Sequence, residues 1–457
     1  MIFQQILNEE AGCLSYLIGC GQVGQAAVVD PARDRVDEYL ALARRKGLTI
    51  THVIETHLHA DHVSGNQALA GKCGARIHLH PAGDPAFAFA PVEDGAEIRL
   101  GNVAFKVAHT PGHTPESVSL LVTDLSRGRE PWFVLTGDTL FIGDVGRPDF
   151  GGEQAASDLY RSLTRRLLTL PDSVEVYPAH GAGSMCGRAM SGKTVSTIGF
   201  ERRFNPVLQA PDEDAFIRQL MTGLPPKPPN FERIIARNRA RSLPPPEELR
   251  PLSAAQVRDT LTKGACVLDV RTPAEFGEGH IPGAINVWIE SPQFSSRVGW
   301  FVPPATPVIL VASGPTDLAR AAQGLSRIGL DDIGGHLQWG IADWRSQGLP
   351  VAQVPQITVH ELATLREEHP DLIVLDVREP FEWEEGHIEG AMHLPMGEAL
   401  RRKLEVPADP PKAVLCAGGL RSSLVISALS REGLAGWRNV AGGMTAWLKA
   451  GYPTVKR

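Results

Sequence analysis

A 21-residue segment, VLDVRTPAEFGEGHIPGAINV, begins at Val267 and returns as VLDVREPFEWEEGHIEGAMHL at Val374. A chain that repeats an apolar run, a turn and a charged helix-like stretch in one order holds two copies of one α/β folding unit, each with its own face to bury. Both copies carry Gly-His-Ile-x-Gly-Ala. Both close on Trp, Gly and Pro at matching spacing: Trp344, Gly348 and Pro350, then Trp447, Gly451 and Pro453. Proline fixes φ and removes a donor, so LPPKPP at 224–229 and SLPPPEE at 242–248 read as stiff connectors. Three domains are expected, 1–245, 246–354 and 355–457, in keeping with roughly 150 residues per domain in a chain of 457.

The first 245 residues alternate strand-like runs such as QAAVVD and THVIET with helix-like ones such as VDEYLALARRKG, which ends in glycine. Directly after THVIE comes Thr-His-Leu-His-Ala-Asp-His, placing His57, His59, Asp61 and His62 at a strand end. Further ligand types follow other apolar runs: His113 in HTPGHTPES, Asp138 in FVLTGDTLF and His180 in VYPAHG. Strand ends gathered on one sheet edge can bring such residues together. Burying several imidazoles and carboxylates without a cation leaves polar groups that are costly to satisfy, so the cluster predicts a metal site. Isolated histidines such as His52, His78, His360 and His369 read as ordinary core or surface residues, and His109, with Pro111 and Gly112 between it and His113, as a loop or supporting residue.

The net charge of −7 excludes a nucleic-acid scaffold, which needs a basic surface to meet phosphate. The opening MIFQQILNEE lacks the basic residues and apolar core of a secretory signal, and no later run approaches the roughly 18 apolar residues of a membrane span; a cytoplasmic protein with no membrane partner is expected. The six cysteines, Cys13, Cys20, Cys73, Cys186, Cys266 and Cys416, show none of the short paired spacings of a zinc ribbon or a disulfide framework and are expected as reduced thiols.

The order HxHxDH, single His, Gly-Asp, late His resembles the metallo-β-lactamase superfamily, which implies an αββα sandwich for the first domain. Its members include dinuclear hydrolases such as glyoxalase II and mononuclear iron persulfide dioxygenases. Ligand positions for two metals are all present, so their number alone leaves the two open. GDVGRPDFGG at 143–152, YPAHGAGSMCG at 177–187, KTVSTIGFERRFNPVL at 193–208 and LPPKPPNFERI at 224–234 resemble the dioxygenases. That resemblance implies one Fe(II) held by His57, His113 and Asp138. His59, Asp61, His62 and His180 then shape the surroundings or, in the hydrolase reading, hold a second metal. Two imidazoles and one carboxylate leave positions for both O2 and a substrate sulfur. Arg147 is a candidate for pairing with an anionic thiol carrier, with a fold-supporting role as the alternative. Cys20 and Cys186 lie in contexts where cysteines of fused relatives affect activity or redox state; Cys13, Cys73 and Cys266 read as buried thiols.

In the last repeat, AVLCAGGLRSS puts Cys416 at a strand end, followed by two glycines, Arg421 and a helix-like run. Glycines let backbone N–H groups turn inward and the helix N-terminus adds positive potential, so a thiolate or persulfide is stabilised there. This resembles the rhodanese active-site loop, with Cys416 as persulfide carrier and Arg421 beside it. The corresponding stretch of the middle repeat, VILVASGPTDLAR at 308–320, has no cysteine in any register, and Cys266 stands at the wrong end of its strand. The middle repeat is therefore expected to be a catalytically silent rhodanese-like domain, and by analogy a dimer surface of a homo-oligomer.

The combination implies oxidation of a low-molecular-weight persulfide (of glutathione, coenzyme A, cysteine or bacillithiol) to thiol and sulfite, coupled to sulfur transfer at Cys416 that forms or uses thiosulfate. Three alternatives stand beside it: a glyoxalase II-like dinuclear thioester hydrolase fused to a sulfurtransferase, a persulfide-binding relay with little turnover, and a flavoprotein of the diiron type, which would need a flavodoxin-like tail.

Overall fold

The computed structural model describes residues 1–457 apart from 149, 185–186, 188–189, 223, 225–226, 244–247, 303–305, 400–409 and 457. It divides into two compact units, Met1–Pro245 with Ser326–Gly329, and Pro246–Leu325 with Leu330–Arg457.

In the first unit, β1 (Ile2–Asn8), β2 (Cys13–Cys20), β3 (Gln25–Val29), β4 (Thr49–Ile54), β5 (Arg76–Leu79) and β6 (Ala90–Pro91) form one sheet in sequence order. A second sheet runs from β7 (Glu97–Leu100) through β8 (Val103–His109), β9 (Val118–Asp124), β10 (Phe133–Gly137) and β11 (Glu175–Pro178) to β12 (Ser196–Thr197). Successive side chains of a strand point to opposite faces. On β2, Leu14, Tyr16 and Ile18 therefore meet Phe105, Leu120 and Leu135 of the second sheet, while Leu17 turns to the other face with Val28, Tyr39 and Leu42. With both faces covered, β2 is buried at every position, which its near-continuous apolar sequence requires.

The helix Val36–Arg45 covers the outer face of the first sheet through Val36, Tyr39, Leu42 and Ala43, three to four residues apart, and Gly47 follows it at φ +67°. Helices Gly152–Ser162 and Glu213–Met221 cover the second sheet with Ala156, Leu159, Phe216 and Leu220. The expected αββα sandwich is thus observed. β3 and β4 run parallel, as do β10 and β11, so the ends of these strands open onto one edge.

The second unit holds two five-stranded sheets of identical order. The first is β13 (Pro251–Leu252), β17 (Ile333–Leu337), β16 (Val308–Val311), β14 (Cys266–Asp269) and β15 (Ile285–Asn286). The other is β18 (Gln356–Ile357), β22 (Trp437–Val440), β21 (Lys412–Leu415), β19 (Ile373–Asp376) and β20 (Met392–His393). Buried ion pairs explain why the repeated segment returns nearly unchanged. Arg271 Nε donates to Asp269 at 2.9 Å and its Nη2 to the Gly279 carbonyl at 2.9 Å; Arg378 does the same to Asp376 at 3.0 Å and Gly386 at 2.9 Å. His280 stacks on Phe276 and His387 on Trp383. Trp344 and Trp447 each donate Nε1 to the carbonyl of the closing proline, Pro350 and Pro453. Among the described residues no helix is long and apolar enough to cross a membrane.

Candidate functional sites

The segment after β4 turns sharply and buries His57, His59 and His62, each at most 2% exposed. Its shape is held from outside: Asn238, on the helix Phe231–Arg239, donates its amide to the carbonyls of His59 and His62 at 2.8 and 2.9 Å and accepts from Ser64 N at 2.8 Å. His113 follows β8, Asp138 follows β10 and His180 follows β11, all fully buried.

Three ligand groups result, each with its donor atoms within 4.8 Å of one another: His57, His113 and Asp138; Cys13, Asp61, His62 and His180; and Asp30, Glu55 and His59. In the first, His57 Nε2 and His113 Nε2 face Asp138 Oδ2 at 3.7 and 3.5 Å. The other ring nitrogens fix the tautomers. His113 Nδ1 donates to the Arg147 carbonyl at 2.9 Å, and His57 Nδ1 donates to Thr56 Oγ1 at 3.0 Å, whose hydroxyl in turn donates to Asp30 Oδ2 at 2.8 Å. Both Nε2 lone pairs are left toward the carboxylate. His57 Nε2 and Asp138 Oδ2 are buried without a hydrogen-bond partner among the described residues. Such orphaned acceptors are costly unless a cation lies between them, so this group fits a divalent metal. Burial, with His59 next, holds His57 well below the usual imidazole range and therefore neutral, as a ligand must be. Burial opposes the charge on Asp138, but His180, His57 and His113 outweigh it and keep its carboxyl below the ordinary range.

Gly146 passes this group so closely that a Cβ there would lie 1.8 Å from the Asp138 carbonyl oxygen. Arg147 itself is 3% exposed, and Phe150 sets its ring edge-on to His113 at 5.4 Å.

His180 joins the first two groups, with Nδ1 2.6 Å from Asp138 Oδ1 and Nε2 2.9 Å from Asp61 Oδ2. Cys13 Sγ donates to Asp61 Oδ2 at 3.1 Å, and burial, then Asp61, pushes this thiol up to about 12. In the third group His59 Nε2 lies 3.4 Å from Asp30 and 3.5 Å from Glu55. Burial alone would keep His59 neutral, but the two carboxylates beside it outweigh burial and raise it to about 10.

The sequence reading missed Cys13, Asp30, Glu55 and Asn238. Asp30 had one signal, an acidic residue closing an apolar strand in the manner of Asp138. Cys20 ends β2 at the end opposite Cys13, roughly 23 Å away along an extended strand, and packs in the apolar core. Cys186 lies outside the described residues. His109 ends β8 and stacks on His80. The five described cysteines are free thiols.

In the second unit β21 and β16 pair alike with their neighbours: Leu415 lies opposite Asp376 and Val311 opposite Asp269. Ala312 therefore stands where the last repeat has Cys416. The middle loop is also shorter, three residues before the helix Pro315–Arg327 against four before the helix Leu420–Arg431. Gly419, at φ +95°, caps the latter helix and donates its backbone N–H to Cys416 Sγ at 3.1 Å. Ser422 Oγ is 3.5 Å from the same sulfur. Arg421 grips Glu382 with both Nη atoms at 2.6 Å.

The family model of the metallo-beta-lactamase superfamily matches residues 9–180, and that of the rhodanese-like domain matches 253–347 and 358–450. The chain is 30% identical over 249 residues to the mitochondrial persulfide dioxygenase ETHE1 of Homo sapiens, covering 52% of this chain and 87% of that one. A hydroxyacylglutathione hydrolase of Nitrosococcus oceani is 36% identical over 184 residues, 39% of this chain and 66% of its own length. Among solved structures, a metallo-beta-lactamase from Staphylococcus aureus subsp. aureus COL matches with a TM-score of 0.66 and 32% identity over 73% of this chain and 98% of that chain. Ligand order, sandwich architecture and sequence identity thus agree: the chain belongs to the metallo-β-lactamase superfamily, as a homologue of the ETHE1 persulfide dioxygenases fused to two rhodanese-like domains.

Proposed function

We propose that the chain is an Fe(II)-dependent persulfide dioxygenase coupled to a rhodanese sulfurtransferase, acting on a low-molecular-weight persulfide in the cytoplasm. The observation that carries this reading is the pair of buried, unpartnered acceptors His57 Nε2 and Asp138 Oδ2, with His113 Nε2 3.5 Å from the same oxygen. Two imidazoles and one carboxylate, one metal per domain, suit iron in oxygen chemistry. Fe(II), when bound, supplies a redox-active centre with room for dioxygen and a persulfide sulfur together.

The chain's own residues do the positioning. Thr56 and the Arg147 carbonyl hold the His57 and His113 rings, Gly146 lets its loop close over Asp138, and Phe150 walls the site beside His113. Arg147, being buried, enters as a support of His113 more readily than as a carrier ligand. The balanced reaction is RSS⁻ + O2 + H2O giving RSH + HSO3⁻: the outer sulfur gives up four electrons and dioxygen takes them. Glutathione, coenzyme A, cysteine and bacillithiol persulfides are the candidate substrates. At the other site Cys416 would carry the sulfur that turns sulfite into thiosulfate, or take it in the reverse direction, with the Gly419 N–H steadying the charged sulfur.

A dinuclear thioester hydrolase is the second reading, favoured by Cys13, Asp61, His62 and His180 lying within reach of one further cation. Oxygen uptake by anaerobically iron-loaded protein, given glutathione or coenzyme A persulfide and assayed for metal on the same sample, separates the two. Uptake with about one iron per chain, lost in His113→Ala, is expected. Two bound metals and no uptake would establish the hydrolase.

A further inference from the structure

The repeat whose loop lacks a cysteine reaches toward the sulfur site of its neighbour. Its helix Phe294–Phe301 carries Arg297 and, three residues on and so on the same face, Trp300. Trp300 lies against Gly397 of the last repeat, where a Cβ would come within 3.2 Å of the indole ring. The docking is fixed elsewhere too. Asn286 on β15 donates its backbone N–H to Ser427 Oγ at 3.0 Å and accepts from Ser423 Oγ at 2.6 Å, both on the helix that starts beside Cys416. Arg431 of that helix donates to Cys266 Sγ at 2.7 Å.

Arg297 shares that helix and lies within electrostatic reach of the Cys416 loop. Among the described residues, the charged groups that weigh most on it are Arg421, Cys416, Glu379 and Glu382, all from the last repeat. Burial, and then Arg421, lowers it to about 10, so it remains cationic at neutral pH. Its Nε is fully buried without a hydrogen-bond partner, and its guanidinium makes no ion pair among the described residues. Arg421, the basic residue that the loop motif singles out, is by contrast already committed to Glu382 through both Nη atoms. Among the described residues, a dianion approaching Cys416 therefore meets Arg421, neutralised by Glu382, and Arg297, which is not.

We propose that Arg297 of the middle repeat, whose loop has no cysteine, binds the sulfur oxyanion, thiosulfate or sulfite, at the Cys416 site, so that both repeats build one transfer centre. This rests on the sulfurtransferase reading above. In the step it serves, the Cys416 thiolate attacks the outer sulfur of thiosulfate, a new S–S bond forms, and the S–S bond of thiosulfate breaks with its electron pair leaving on sulfite: Cys–S⁻ + S–SO3²⁻ gives Cys–S–S⁻ + SO3²⁻. The guanidinium's planar fork matches the oxygens of the SO3 group and holds the leaving sulfite.

The test uses the full chain, with thiosulfate and cyanide as substrates. Arg297→Ala should raise the KM for thiosulfate roughly 10- to 100-fold, as loss of one charge-assisted hydrogen bond implies, with a much smaller change in kcat; Arg297→Lys should recover part of it. A second readout needs no turnover. Alkylation of Cys416, followed by peptide mass, should favour anionic iodoacetate over neutral iodoacetamide in the unmodified chain and lose that preference in Arg297→Ala. In the unmodified chain, sulfite should also slow iodoacetamide at Cys416. An unchanged KM together with an unchanged alkylation ratio overturns the role of Arg297, and if the alanine variant fails to fold, absence of sulfite protection in the unmodified chain does so. Cys416→Ser is the control for the underlying reading: transfer that survives in it refutes the sulfurtransferase itself, whatever Arg297 does.

Discussion

Asn238 donates its side-chain amide to the carbonyl of His59 at 2.8 Å, across 179 residues of sequence. This one buried side chain also serves His62 O and Ser64 N, so the histidine-rich turn takes its shape from a helix near the end of the first unit. Asn238→Ala leaves three buried backbone groups unpaired. It should cost about 2–3 kcal/mol of stability and lower metal affinity roughly 10- to 100-fold. Chelator competition, with urea unfolding of the same variant, measures both; unchanged metal affinity would show that the turn holds its own shape.

Gly146→Ala probes the other side of the site. The added methyl cannot coexist with the Asp138 carbonyl 1.8 Å away, and backbone, unlike a flexible side chain, yields only by moving the ligand loop. A displacement near 1 Å should reduce persulfide oxidation on the order of 100-fold. Circular dichroism indistinguishable from the parent, with oxygen uptake retained, would contradict the close approach.

The two half-reactions should separate by mutation. Cys416→Ser is expected to abolish sulfur transfer while oxygen uptake stays within about twofold, and His113→Ala to do the reverse, since residues that share no partner act additively. Oxygen electrode traces, together with sulfur transfer from added thiosulfate to cyanide, which needs no sulfite from the iron site, test this on both variants, and loss of uptake in Cys416→Ser would couple the sites chemically.

His280 gives the second unit an acid limit. Burial, against a hydrogen bond to the Phe276 carbonyl and with help from Arg271, lowers it from its ordinary 6.5 to about 4. Between those values the unfolded chain binds the proton and the folded chain does not, so stability present above pH 6.5 is lost as pH falls through this window. The loss approaches about 3 kcal/mol near pH 4. Urea midpoints at pH 7 and 4.5 should differ less in His280→Gln than in the parent; equal differences would remove the histidine from the account.

The strand-end rule made His57, His113, Asp138 and His180 readable in the sequence, because each follows an apolar run and parallel strands present their ends together. Cys13 could not be found this way. It begins β2 and looks like any small apolar residue there; only its antiparallel bridge to His180 brings it to Asp61. Asn238 and Arg297 were equally hidden, the first because its partners are backbone groups 174 or more residues away, the second because it sits in the repeat whose loop has no cysteine. The uncertain register of the middle loop resolves at Ala312 because strand pairing, unlike sequence, counts residues from a shared neighbour.

The latch that ties Asp269 to Arg271 and the Gly279 carbonyl is the same as that tying Asp376 to Arg378 and Gly386. It sits at the end of β14 and of β19, the second strand of each copy, and asks nothing of the loop that follows the neighbouring strand. Duplication of such a unit hands the spare copy a frame that stands without a sulfur, free to drift toward any task its surface meets. A search that recognises rhodaneses by this signature is therefore counting scaffolds, and the number of sulfurtransferases in a genome has to be read at the position of Cys416 instead.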